Sequence, residues 1–166
     1  MRGFQLWVNL PARDKMTDPK YQEFAPDSIP VAVPAAGVEV KVIAGRVGDV
    51  VGPIVQPATD PLYLDIALQA GKAWEYSLPE GHNVFAYVFE GAVTVGEGDE
   101  ARALESQEMA VLGGGEMLQL RAGNQPARLI LVAGRPLREP VMRHGPFVMN
   151  TKQELMQAFV DYQEGR

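Results

Sequence analysis

The chain contains no cysteine and only two histidines, His82 and His144, among its 166 residues. The missing thiols exclude disulfides, cysteine nucleophiles and every Cys-ligated zinc or iron–sulfur centre. A cytoplasmic setting is the expectation that follows. Serine is nearly as scarce: Ser28, Ser77 and Ser106 are the whole supply, and none stands in a Gly-x-Ser-x-Gly elbow. Basic charge is also short. Fifteen Lys and Arg face 21 Asp and Glu, for a net charge of −6, so the footprint of a direct nucleic-acid binder is missing. Long apolar runs are absent too. Stretches such as Leu129–Ala133 fall far below the ~20 residues that span a bilayer, and no charged, then apolar, leader opens the sequence. Neither a membrane nor nucleic acid is an expected partner.

What is present is a globular composition. Hydrophobic residues make up 46% and charged residues 22%, and a chain of this length buries roughly 70% of the surface it exposes when unfolded. Gly3–Leu10 alternates, with Phe4, Leu6, Val8 and Leu10 on one face, which predicts a half-buried strand that Pro11 ends. Residues 11–36 carry Pro11, Pro19, Pro26, Pro30 and Pro34 and read as an irregular connection. After Gly37 come short runs rich in β-branched and aromatic residues: 38–43, 62–68, 84–89, 92–95, 109–112, 117–120 and 127–133. Glycines separate them, a rhythm that predicts an all-β sandwich or barrel. The last segment differs. Thr151-Lys-Gln-Glu154 is a capping box, and Leu155, Phe159 and Tyr162 follow at helical spacing, so one helix of about twelve residues closes the chain.

Equipment for chemistry is thin. A metal centre without cysteine needs three or four ligands from His, Asp and Glu, and two histidines 62 residues apart supply at most half of one. Asp65 is the chief carboxylate inside a predicted strand. Gly113–Gly115 lacks the following Lys-Ser/Thr of a phosphate loop and reads as a turn. Glu97, Asp99, Glu100, Glu105 and Glu108 read as a solvated acidic loop. Trp74, Tyr76, Phe85, Tyr87 and Phe89 are candidates to line a barrel interior, as core or around a small ligand.

Several blocks carry a family resemblance. Gly3-Phe-Gln-Leu-Trp-Val-Asn-Leu-Pro11, Leu62-Tyr-Leu-Asp65, Val132-Ala-Gly-Arg-Pro-Leu-Arg-Glu-Pro-Val141 and His144-Gly-Pro-Phe-Val-Met-Asn-Thr151, with Lys15-Met16, Pro19–Gln22 and Ala110–Gly113, together resemble the C-terminal half of a pirin. The resemblance implies a cupin-type β-barrel or jelly roll, the double-stranded β-helix, with one C-terminal α-helix. It divides the chain into an N-terminal strand and inter-domain connection (1–36), the cupin barrel (37–150) and the helix (151–166). Pirins are two-cupin proteins whose iron lies in the N-terminal half, with quercetin 2,3-dioxygenase-like or transcriptional co-regulator activity. Cupin ligands are a His-x-His with a carboxylate and a later His. Here the matching positions fall near Ser77 and Pro79, then around Pro126, Ala127, Arg128 and Ile130, so no catalytic, cofactor-binding or metal residue is expected in this chain.

The expected role is therefore a structural and interaction half, with iron expected only in an N-terminal cupin that this chain lacks. Met1 then marks an internal methionine, an expression start or a shortened reading frame. The rival readings are a free-standing dioxygenase using His82, His144 and a carboxylate, and a barrel that binds a small ligand. The expected partners are the N-terminal half or a second copy, the latter forming a homodimer over Phe4, Leu6, Val8 and the helix stripe.

Overall fold

In the computed structural model, residues 3–165 are described; Met1, Arg2 and Arg166, at the limits of the first and last predicted segments, lie outside them. The strands are β1 (Val31–Ala35), β2 (Val38–Ala44), β3 (Arg46–Val47), β4 (Val50–Val51), β5 (Leu62–Leu68), β6 (Ala73–Ser77) and β7 (Asn83–Glu90). They continue with β8 (Val93–Val95), β9 (Arg102–Leu104), β10 (Met109–Leu112), β11 (Met117–Ala122), β12 (Ala127–Gly134), β13 (Met142–His144) and β14 (Phe147–Met149). A single α-helix, α1 (Lys152–Gln163), closes the described chain.

Residues 22–136 form one compact unit, and residues 3–21 with 137–165 form another. In the larger unit a six-stranded sheet runs β1-β2-β5-β12-β7-β10 and a four-stranded sheet runs β6-β11-β8-β9. All pairings within them are antiparallel. Two sheets with separate edges make a jelly-roll sandwich, without ladder closure into a barrel.

Strict alternation decides which side chains lie between the sheets. On β5, Leu62, Leu64, Ile66 and Leu68 are buried; on β7, Val84, Ala86 and Val88; on β12, Leu129, Leu131 and Ala133. Trp74, Leu118, Leu120, Val93 and Val95 close the core from the four-stranded sheet. The core is hydrocarbon throughout, and its cohesion comes from area removed from water, about 25 cal/mol per Å².

The predicted strand at Gly3–Leu10 does not form: no ladder partner engages it, and β1 begins only at Val31. Alternation marks a chain that could pair, but a strand also needs a neighbour that offers free N–H and C=O groups. Phe4 and Val8 are exposed and Leu6 is half-buried. The 1–36 segment thus carries its strand at the far end.

The smaller unit is tied across sequence. Glu139 Oε2 accepts from the Ala12 amide at 2.7 Å and from Asn150 Nδ2 at 3.0 Å, and the β13–β14 hairpin turns through Gly145, at φ +54°. The predicted helix forms with its capping box: the Glu154 amide donates to the Thr151 hydroxyl oxygen at 3.2 Å, and the Thr151 amide donates to the Glu154 carboxylate at 2.8 Å. The Thr151 hydroxyl, then the Thr151 amide, hold the Glu154 carboxyl below its ordinary pKa. A lowered native pKa contributes stability that is present above the unfolded value and is lost as pH falls through the native one. Protection factors of the amides in the first turn of α1 are therefore expected to fall as pH drops below the ordinary carboxylate range; protection factors independent of pH would contradict this role for Glu154.

Candidate functional site

His82 sits in the turn that leads into β7, and its side chain is 4% exposed. The ring Nδ1 lies 3.1 Å from the Glu80 carbonyl oxygen and Nε2 lies 3.0 Å from the Asp60 carbonyl oxygen. The Asp60 carboxylate is 3.5 Å from the same Nε2 and 3.3 Å from an Arg135 guanidinium nitrogen. Asp60 holds a left-handed backbone, φ +44°, a conformation that Asp tolerates better than most residues. The Arg135 amide donates to the Thr59 carbonyl at 2.7 Å. Together these groups clamp the loop before β5 to the start of β7 and the end of β12. Both nitrogens of His82 face carbonyl oxygens, and the neutral ring donates its one N–H to one of them. Its chemistry is that of a backbone clamp.

His144 lies at the end of β13 and packs edge-on against Phe159 of α1, with ring centroids 5.4 Å apart. Phe147 adds contacts with Phe159 at 4.8 Å and Tyr162 at 5.6 Å. The predicted stripe of α1 thus meets its own hairpin through aromatic edges, each pair worth about 0.5–1.5 kcal/mol beyond area; Leu155 is buried, Phe159 is half-buried and Tyr162 remains exposed. A cavity of about 420 Å³ beside it is lined by Met16, Phe147, Met149 and Tyr162, with Glu154 and Asp161 at its margin.

The positions where the family's ligands were expected do not gather on the inner face. Ser77 ends β6 exposed, and Arg128 and Ile130 lie on the face turned away from the cluster between the sheets, although Ile130 is buried; among them Ala127 alone belongs to that cluster. Between the sheets the available groups are hydrocarbon, and among the described residues no three His, Cys, Asp or Glu side chains are placed to share a cation. Such a donor set does not suit iron, which takes imidazole, carboxylate or thiolate.

The aromatic expectation is corrected in part. Trp74 is a core residue, and Tyr76 packs against the core with its hydroxyl donating to the Arg46 carbonyl at 2.7 Å. Burial pushes the Tyr76 phenol above its ordinary pKa. Phe85, Tyr87 and Phe89, however, alternate with the buried Val84, Ala86 and Val88. Strand geometry sends successive side chains to opposite faces, so these three rings stand on the outer face of the six-stranded sheet rather than inside a barrel.

That outer face also carries an ion pair. One Arg128 guanidinium nitrogen donates to both Asp65 carboxylate oxygens, at 2.7 and 3.0 Å, and the guanidinium carbon lies 5.0 Å from the centre of the Phe89 ring. Burial, and then the Asp65 charge, raise the neighbouring Tyr63 phenol above its ordinary pKa. Asp65 stands out in the sequence as a carboxylate inside a strand, and Arg128 only as a residue near an expected ligand position; Asp60 and Arg135 do not stand out. A lone charge of opposite sign inside each of two apolar runs, 62–68 and 127–133, was the signal for the Asp65–Arg128 pair. Nothing local marks Asp60 and Arg135, because their partners come from other loops.

Comparison with known proteins agrees with this architecture. The family model of the pirin C-terminal cupin domain matches residues 63–166. A pirin-like protein of Caulobacter vibrioides is 50% identical over 167 residues, covering 100% of this chain and 59% of that protein. Pirin of Homo sapiens is 40% identical over 166 residues, covering 99% of this chain and 56% of that protein. The crystal structure of a quercetin 2,3-dioxygenase from Acinetobacter baumannii superposes with a TM-score of 0.87 at 36% identity, over 96% of this chain and 54% of that one. The chain thus spans somewhat more than half the length of the relatives it matches. With a matching domain model over most of its length and a cupin sandwich to go with it, this chain belongs to the pirin family, as a C-terminal cupin domain.

Proposed function

We propose that this chain is the structural and interaction half of a pirin-type bicupin, holding no metal of its own and packing against an iron-bearing N-terminal cupin whose cleft it helps to shape. The supporting observation is chemical: the inner face, where a cupin would gather its ligands, is filled by Val, Leu, Ile and Ala side chains. A quercetin 2,3-dioxygenase-like or co-regulator activity would then belong to the whole two-cupin protein. In the dioxygenase reading of this chain alone, His82 and His144 would be ligands. His82 would first have to give up two backbone carbonyls, and His144 its packing on Phe159.

Titration of the purified chain with ferrous iron or manganese, followed by calorimetry and metal analysis after desalting, tests the proposal. No stoichiometric retention is expected. One tightly held ion per chain, lost on substituting either histidine, would overturn it in favour of the dioxygenase reading.

A further inference from the structure

The cavity of about 420 Å³ beside α1 is built entirely from the smaller unit, residues 3–21 and 137–165. Its volume falls within the ~300–1,000 Å³ of small-molecule sites, which are apolar hollows with a few placed polar groups. Local structure accounts for the hollow. Phe147 and Met149 stand two apart on β14, so both project from one face of the hairpin. Glu154, Gln157, Ala158 and Asp161 recur at i, i+3, i+4 and i+7 on α1 and form a second face of the helix, next to the stripe that meets the hairpin. Ala158 is the small residue of that face, and a side chain of one carbon leaves the space open. Met16 and Tyr162 are the exposed members of the wall, at 79% and 71%.

Charge selects the occupant. The charged side chains that line the hollow are Lys15, Glu154 and Asp161, one cation against two carboxylates. Lys15 Nζ donates to Asn9 Oδ1 at 2.7 Å, and its charge acts on Glu154, whose carboxylate is already held by the capping box. Asp161 is the excess. It is half-buried, its Oδ1 accepts from Gln157 Nε2 at 2.8 Å, and among the described residues no Lys, Arg or His comes within ion-pair distance of it. A carboxylate so placed is incompletely solvated and attracts a cation more strongly than one in open water, because the effective dielectric is lower. The neighbouring Tyr162 ring adds a π face of the kind that ammonium groups favour, and methionine side chains adapt to varied apolar shapes.

We propose that this cavity is a binding site for a small organic cation, its aromatic or alkyl body seated against Phe147, Met149 and Ala158 and its ammonium on the Asp161 carboxylate beside Tyr162. The inference stands on the smaller unit alone, not on the metal reading above.

An amide-shift NMR titration of the full chain with phenylbutylamine tests it. Saturable shifts confined to Met16, Phe147–Met149 and Ala158–Tyr162 are expected, with a Kd on the order of 1 mM, the affinity range of a ligand of about 11 non-hydrogen atoms. Phenylbutanol, which keeps the body and drops the charge, is expected to bind about 5- to 10-fold more weakly, and Asp161→Asn to remove that difference by weakening the amine alone. Ala158→Leu, which fills the hollow from a half-buried helical position, is expected to abolish binding of both probes and to leave thermal unfolding unchanged. Absence of saturable shifts, or shifts that Ala158→Leu does not remove, overturns the proposal. Equal affinity for amine and alcohol, tighter binding of phenylbutyrate through Lys15, or an amine affinity indifferent to Asp161→Asn overturns it as well.

Discussion

Leu131→Ala is expected to lower the stability of the larger unit by about 3 kcal/mol, and hence Tm by roughly 6–12 °C. Leu131 is fully buried at the middle of β12, the strand that pairs with β5 on one side and β7 on the other. Truncation removes the transfer energy of the deleted carbons and leaves a cavity that two flanking ladders prevent from collapsing. Denaturant unfolding of wild type and variant measures the loss directly. A cost below about 1 kcal/mol would mean that the inner face is loosely filled, and would favour the small-ligand barrel over a packed interaction half. Val111→Ala, at an exposed outer position, serves as the comparison and should fall within about 0.5 kcal/mol of wild type.

Gly91→Ala is expected to cost about as much, by a different route. Gly91 turns the chain between β7 and β8 at φ +71°, and a Cβ there would lie 2.3 Å from the Pro126 carbonyl oxygen and 3.0 Å from the Ala127 Cα. Left-handed backbone alone costs an alanine about 1–2 kcal/mol. The contact with backbone cannot be relieved by rotating a side chain, so the start of β12 must move, for a total of about 3–5 kcal/mol. Gly81→Ala isolates the first component: Gly81 has φ +72°, yet a Cβ there meets nothing within 4 Å. Equal losses for the two variants, compared by denaturant midpoint, would show that the approach of Gly91 to Pro126 is not tight.

The sequence was legible where a single periodicity governs a whole segment. Strands 62–68 and 109–112 appear with the expected limits, 38–44 and 127–134 differ by one residue at one end, and 83–90 by one residue at each end. In each, alternation or a continuous apolar run sets the burial. β6 went unread because Ala73-Trp-Glu-Tyr-Ser77 has only two inward residues, and β9 because Arg102–Leu104 has one. Such short segments become strands through their neighbours, β11 and β8. The opposite failure occurred at Gly3–Leu10, where a good pattern met no partner.

The candidate site divides in the same way. That the chain is poor in ligands follows from counting: no cysteine and two histidines leave little with which to build a metal centre or a nucleophile. The capping box and its helix are likewise local, since each bond of the box spans three residues.

By itself, then, the sequence determined the fold class, the closing helix and the family, because composition and short-range periodicity are properties of neighbouring residues. Only the tertiary structure decided where the groups point. It sent Phe85, Tyr87 and Phe89 outward, set Arg128 on Asp65 across 63 positions of sequence, and turned His82 onto the carbonyls of Glu80 and Asp60. The physical reason is register. Which face a strand residue occupies, and what stands opposite it, depends on which strands pair and at what offset, and those pairings join segments far apart in the chain.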